Sequence, residues 1–220
     1  MNTCPECSHP VTPDDAFCDN CGANLRASLT EPQEDIEAVS RDRINGVSPA
    51  VLLPRVQRFL AQQPQHITAW VILGNFHRDS QDMDAAVAAY THALSLDPRF
   101  IEALLGLGGI HRRRKDYDHA MDCYRQALQI DPSLARIYSS MVVVDLACYR
   151  DQEALSHARQ AYSLDATDPN IVANYASACH YSGLHAERDA LYLECQQLNY
   201  DSLAILKKIF EGKLTVRDRR

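Results

Sequence analysis

ITAWVILGNFHRDSQDMDAAVAAYTHALSLDPRF, residues 67–100, and IEALLGLGGIHRRRKDYDHAMDCYRQALQIDPSL, residues 101–134, decide the fold, because one 34-residue pattern is written twice without a gap. Trp70, Leu73, Gly74, His77, Ala86, Tyr90, Ala93 and Pro98 return as Leu104, Leu107, Gly108, His111, Ala120, Tyr124, Ala127 and Pro132. Within each copy the apolar residues recur at helical spacing. Asp82 or Asp116 stands where a second helix would start, and Asp97-Pro98 or Asp131-Pro132 ends it. The unit reads as helix, short turn, helix.

Working outward, a third copy runs over residues 135–168 with Tyr138, Met141, Ala154 and Ala161. It departs from the pattern at Val142, where a small residue is expected, and at Ala166, where proline is expected. A fourth, 169–201, keeps Val172, Tyr175, Ala176 and Tyr192 but carries Arg188 and Cys195 in place of alanines. The amphipathic stretch 202–214, SLAILKKIFEGKL, fits a helix that covers the exposed last hairpin, and RDRR at the end reads as frayed. Upstream, Pro64 lies 34 residues before Pro98 and Phe59 takes the place of Ala93. Residues 48–64 therefore read as the second helix of a truncated copy, whose partner is absent or borrowed from the preceding stretch. Pro54 predicts a late start or a kink there.

This pattern resembles the tetratricopeptide repeat, with a bulky residue at position 4, Leu at 7, Gly or Ala at 8, Ala at 20, an aromatic at 24, Ala at 27 and Pro at 32. The resemblance implies an all-α solenoid of antiparallel helix hairpins over residues 48–214, with small residues at positions 8 and 20 where paired helices approach closely. It also implies a concave groove lined by positions 2, 5, 6, 9, 12 and 13 of each first helix. Carried onto this chain, those positions include Asn75, Arg78, Arg112, Arg113, Arg136, Asn174 and His180. Their excess is basic, and arginine forks favour carboxylates, so the implied partner is a protein or an extended acidic peptide. The Lys-rich clamp of the family's chaperone-binding subgroup is expected to be absent, since Val71 and Glu102 stand in its place. His77 and His111 fall at position 11, which predicts interhelical packing.

The chain opens with CPECSHPVTPDDAFCDNCG, residues 4–22. Cys4 and Cys7, then Cys18 and Cys21, supply four thiolates in two tight turns that can close a tetrahedron around one metal ion. About 25 residues bury too little apolar surface to fold alone, so the ion would supply the folding energy. Four sulfur ligands leave no open position for hydrolytic chemistry. Cys4, Pro5, Cys7, Phe17, Cys18, Cys21, Gly22 and Leu25 resemble the short zinc-ribbon modules, which implies one structural zinc over residues 1–26. The alternative is a redox- or metal-responsive regulator in which this head changes state and alters partner binding.

Residues 1–47 carry nine acidic and three basic side chains, -6 of the total formal charge of -7. Residues 27–47 accordingly read as an acidic linker, able to form a short helix and to occupy the basic groove weakly. A lysine-free head with one arginine argues against nucleic acid. No apolar run approaches the ~18 residues of a spanning helix. The unpaired thiols Cys123, Cys148, Cys179 and Cys195 suit a reducing compartment and predict a cytoplasmic protein. The sequence holds no glycine-rich phosphate loop, His-Glu-x-x-His or G-x-S-x-G, and the expectation is a non-enzymatic scaffold.

Overall fold

The structure is a computed structural model that describes residues 2–3, 7, 9–12, 19–21 and 35–217. It divides into two compact units, Met1–Pro64 and Gln65–Arg220. In the first unit, β1 (Asn2–Thr3) pairs antiparallel with β2 (Pro10–Val11), setting Asn2 opposite Val11 and Thr3 opposite Pro10. Helix α1 (Ile36–Ile44) then packs on α2 (Pro49–Gln62).

The helix α1 is the short helix that the acidic stretch 27–47 is able to form. Asp35 caps it by accepting from Glu37 N at 2.9 Å, Arg41 and Arg43 occupy its last turn, and Asp42 receives Arg55 of α2 at 2.8 Å. Counting 34 back from the first repeat places Ile36, Val39, Leu52, Val56 and Phe59 at positions 4, 7, 20, 24 and 27, and all five are buried. The borrowed partner helix is thus real, and its register is that of the repeats. The charge of the stretch concealed it, since only two apolar side chains of α1 are buried. Pro54 lies inside α2, which begins at Pro49 behind the Ser48 cap and shows no late start.

In the second unit the repeats form four consecutive hairpins. They are α3 (Ile67–Asp79) with α4 (Met83–Leu96), α5 (Ile101–Arg113) with α6 (Tyr117–Ile130), α7 (Ala135–Ala147) with α8 (Asp151–Leu164), and α9 (Pro169–Tyr181) with α10 (His185–Gln197). Each first helix packs on its own partner and on the next first helix, and each second helix on the first helix of the following hairpin. Position 15, between the two helices, is left-handed in all four hairpins: Gln81, Lys115, Tyr149 and Gly183 have φ of 64, 62, 61 and 75°. Only the last uses the residue that takes this conformation without strain.

Tyr90 shows why the repeats need their glycines. Its ring is fully buried, and a Cβ on Gly74 of the same repeat or on Gly106 of the next would lie 2.6 or 2.5 Å from it. Gly108 gives Tyr124 the same space at 2.5 Å. Val142 of the third repeat breaks the small-residue rule, and the ring position opposite it is Ala158. The large and small partners have exchanged sides, and both are buried in one core.

Helix α11 (Leu203–Phe210) follows and packs on α9 through a core that contains Leu206. Phe210 lies 5.2 Å from the Arg188 guanidinium, which accounts for an arginine where alanine is expected. The reading of the final RDRR as frayed is corrected for its first residue. Arg217 pairs with Asp151 at 2.6 Å and lies over the rings of Tyr149 and Tyr181 at 4.8 and 4.1 Å. Among the described residues, no helix is long and apolar enough to cross a membrane.

Candidate functional site

The first helices α3, α5, α7 and α9 carry the groove positions, and the structure gathers them around two recesses. One, of about 210 Å³, is lined by Val71, Asn75 and Arg78 of α3, Glu102, Leu105 and Gly106 of α5, and Arg136 of α7. The other, of about 260 Å³, is lined by Arg112, Arg136, Ser139, Ser140 and Val143, and by Asp168, Asn170, Ile171 and Asn174 at the start of α9. Arg136 borders both. Arg113 is exposed outside the two linings, and His180 packs between Tyr181 and Phe210, at ring distances of 5.0 and 5.2 Å.

The side chains in these recesses are held by specific bonds. Asn75 accepts from the Tyr90 hydroxyl at 2.8 Å, which orients its amide, and Asn174 donates to Ser139 Oγ at 2.8 Å. Two of the three recess arginines have acidic neighbours: Arg78 pairs with Asp79 at 3.0 Å and Arg136 with Glu102 at 3.5 Å. Arg112 has no carboxylate partner among the described residues. It stands beside the Tyr124 hydroxyl, whose pKa burial pushes up while Arg112 and Ser140 draw it back. Positional register reaches the polar members other than Asp168. It missed Asp168 and Ile171, because they lie at the helix start outside the six groove positions.

Position 11 is a second feature the structure refines. His77 and His111 are partly buried, and each meets the carboxylate five residues on, with His77 Nδ1 3.7 Å from Asp82 and His111 Nδ1 3.0 Å from Asp116. Cys179 and Cys195 are buried, whereas Cys123 and Cys148 are only half-buried. Burial, joined by the neighbouring Glu187 carboxylate, pushes the Cys179 thiol up to about 12. Burial beside Glu194 pushes Cys195 to about 11.

At the head, Cys7 is partly buried in a turn between the two paired strands and Cys21 lies exposed in a second turn. Cys4 and Cys18 fall outside the described residues. Four thiolates in two Cys-x-x-Cys pairs are a donor set that fits zinc. Cys4, Cys7, Cys18 and Cys21 are the side chains that would hold it.

Comparison with known families gives a match to the tetratricopeptide repeat at residues 67–100 and again at 101–134, and to the zinc-ribbon domain at residues 1–25. No curated protein matches the sequence. Among solved structures, PilF of Pseudomonas aeruginosa superposes with a TM-score of 0.68 at 20% identity, covering 80% of this chain and 82% of that one. A thermophilic tetratricopeptide repeat protein of Thermus thermophilus gives 0.67 at 16% identity, with 81% and 96% covered. YrrB, described as having an unusual peptide-binding site, gives 0.57 at 15% identity, with 71% and 82% covered. At such identities these similarities establish the fold. The chain carries tetratricopeptide repeats at residues 67–134 and an N-terminal zinc-ribbon module at residues 1–25.

Proposed function

We propose that the protein is a non-enzymatic adaptor that holds a carboxylate-bearing extended peptide along α3, α5, α7 and α9, with one zinc ion stapling its head. The observation that carries this reading is the recess lined by Arg112, Arg136, Ser139, Ser140, Asn170 and Asn174, which draws polar groups from three consecutive first helices and sets two arginines against the single carboxylate of Asp168. A carboxylate seated there meets two guanidinium groups and the amide and hydroxyl donors beside them. Charge-assisted hydrogen bonds of this kind contribute about 1.5–3 kcal/mol each. Arg112 brings positive charge with no carboxylate partner among the described residues, and the half-exposed Glu102 holds Arg136 weakly enough to yield to a ligand. The peptide-binding site named for YrrB is a use of the same fold that agrees with this reading.

The experiment is fluorescence anisotropy with a labelled acidic peptide and a neutral one of equal length. The acidic peptide binds more tightly. Arg112→Glu weakens it at least tenfold, a change of about 1.4 kcal/mol, while Arg113→Glu, outside the recess, has a much smaller effect. Equal affinity for both peptides, or an Arg112→Glu variant that binds as the wild type does, removes the groove reading. For the head, metal analysis of the full chain freed of weakly held metal gives one zinc, and Cys18→Ala loses it.

A further inference from the structure

Asp82 and Asp116 occupy the same position in the first and second repeats but use their carboxylates differently. Asp82 caps α4 by accepting from Ala85 N at 3.2 Å, whereas Asp116 at the start of α6 makes no side-chain bond to its own helix backbone. Its two oxygens face two imidazoles instead, Oδ2 at 3.0 Å from His111 Nδ1 and Oδ1 at 2.7 Å from His119 Nδ1. The two rings stack at 26° with centroids 5.3 Å apart. His111 comes from α5 and the other two from the start of α6, so the turn brings three donors together, with one ligand atom of each lying within 4.8 Å of the others.

We propose that His111, Asp116 and His119 form a second metal site, distinct from the ribbon, for a late first-row divalent ion such as zinc. Two imidazoles and one carboxylate are a borderline donor set that suits zinc, cobalt, nickel or copper. Calcium asks for six or more oxygens, and magnesium for a near-octahedral oxygen shell. Zinc bonds of about 2.0–2.2 Å place tetrahedral ligand atoms roughly 3.3 Å apart. The two histidine–aspartate distances therefore need to open by only a few tenths of an ångström, while the ligand atoms of the two imidazoles, which lie within 4.8 Å of each other, close toward that spacing. A bound ion replaces the protons now shared between Asp116 and the imidazoles, and a water or a partner's side chain completes the coordination.

The other repeats supply internal controls at positions 11, 16 and 19. The first carries His77, Asp82 and Ala85, the third Asp145, Arg150 and Glu153, and the fourth Cys179, Leu184 and Glu187. A hydrogen-bonded turn needs no more than the histidine and aspartate already present in the first repeat. His119 is what this repeat adds, on a surface where it is 70% exposed and packing does not require it.

The full chain, with zinc in its ribbon and freed of excess metal, is titrated with cobalt(II) and followed by visible absorption. The expected result is one further equivalent of cobalt showing ligand-field bands without thiolate-to-cobalt charge transfer, the mark of a site built from nitrogen and oxygen. His119→Ala and Asp116→Asn each lower that affinity at least tenfold, with helical circular dichroism unchanged for the exposed histidine. Cobalt uptake confined to thiolate sites, or a second equivalent that survives both substitutions unaltered, overturns the proposal.

Discussion

Asp145 accepts a 2.8 Å hydrogen bond from Arg150 Nε, and these two residues reverse the order of basic and acidic side chains that His111 and Asp116 hold at the same positions one repeat earlier. The Asp145 carboxylate is 1% exposed, and it also takes His157 Nδ1 at 2.7 Å. In the fourth repeat the same two positions hold Cys179 and Leu184, which join one apolar core. The solenoid thus keeps a contact between the end of each first helix and the turn that follows, while the chemistry of that contact changes from repeat to repeat.

Substituting Asp145 tests how much that contact matters. Removing one partner of an enclosed pair leaves the others without compensation, at a cost of about 3–5 kcal/mol for a fully buried pair. Arg150 and His157 keep partial access to water, with 35% and 25% of their side chains exposed, which reduces the penalty. Asp145→Ala is expected to destabilise by about 2–3 kcal/mol, read as a lower urea midpoint at unchanged m-value. A loss under about 0.5 kcal/mol would place the pair among ordinary surface bridges.

Two helical glycines of α5 predict opposite outcomes. A Cβ on Gly106 would lie 2.5 Å from the enclosed Tyr90 ring, whereas one on Gly109 meets nothing within 4 Å. Overpacking costs about 1–3 kcal/mol, more than offsetting the ~1 kcal/mol of helix propensity that alanine restores. Gly106→Ala lowers the thermal midpoint and Gly109→Ala raises it. Gly109 sits at a groove position, so its variant also asks whether the peptide backbone runs close there.

Position-by-position register made most of this architecture legible before any coordinates. Tyr90, Tyr124, Ala93 and Ala127 are all buried as their repeat positions require. What escaped was what depends on paired departures. Val142 looks wrong until Ala158 is set opposite it, and Arg188 looks wrong until Phe210 of the last helix covers it. The helix α1 is legible only as an option, because its few apolar residues lie among charges that suggest a solvated chain. For the groove, register supplied the arginines, but only geometry distinguishes Arg112 from Arg78 and Arg136 by their carboxylate neighbours.

His180 makes the C-terminal hairpin sensitive to acid. Burial, with Arg188, His185 and Arg217 nearby, lowers its pKa from the ordinary value near 6.5. Above that value neither state holds the proton, and the depression has no effect on stability. As pH falls below about 6.5 the unfolded chain takes up a proton that the folded chain resists, so stability declines until the lowered folded value is passed. His180→Phe retains a ring against Phe210 and removes the titration. Its thermal midpoint should fall less than that of the wild type between pH about 7.5 and about 5, and parallel falls in the two proteins would exclude His180 as the cause.

Thiol reactivity separates a zinc staple from a redox sensor. The thiolate is the nucleophile, so thiols pushed up to about 12 at Cys179 and about 11 at Cys195 present almost none of it near neutral pH, and both are buried. Head thiols bound to zinc would be protected for another reason, because the metal occupies the lone pairs that attack. Native protein treated with iodoacetamide should therefore label slowly at both places. A strong chelator releases the head and should expose Cys4, Cys7, Cys18 and Cys21 to rapid modification, while Cys179 and Cys195 stay protected until denaturant is added. Peptide mass mapping reads the six sites separately. Rapid labelling of the head without chelator, or its ready oxidation with zinc release, would favour the sensor, whereas early labelling of Cys179 would show that the fourth hairpin opens more readily than its packing implies.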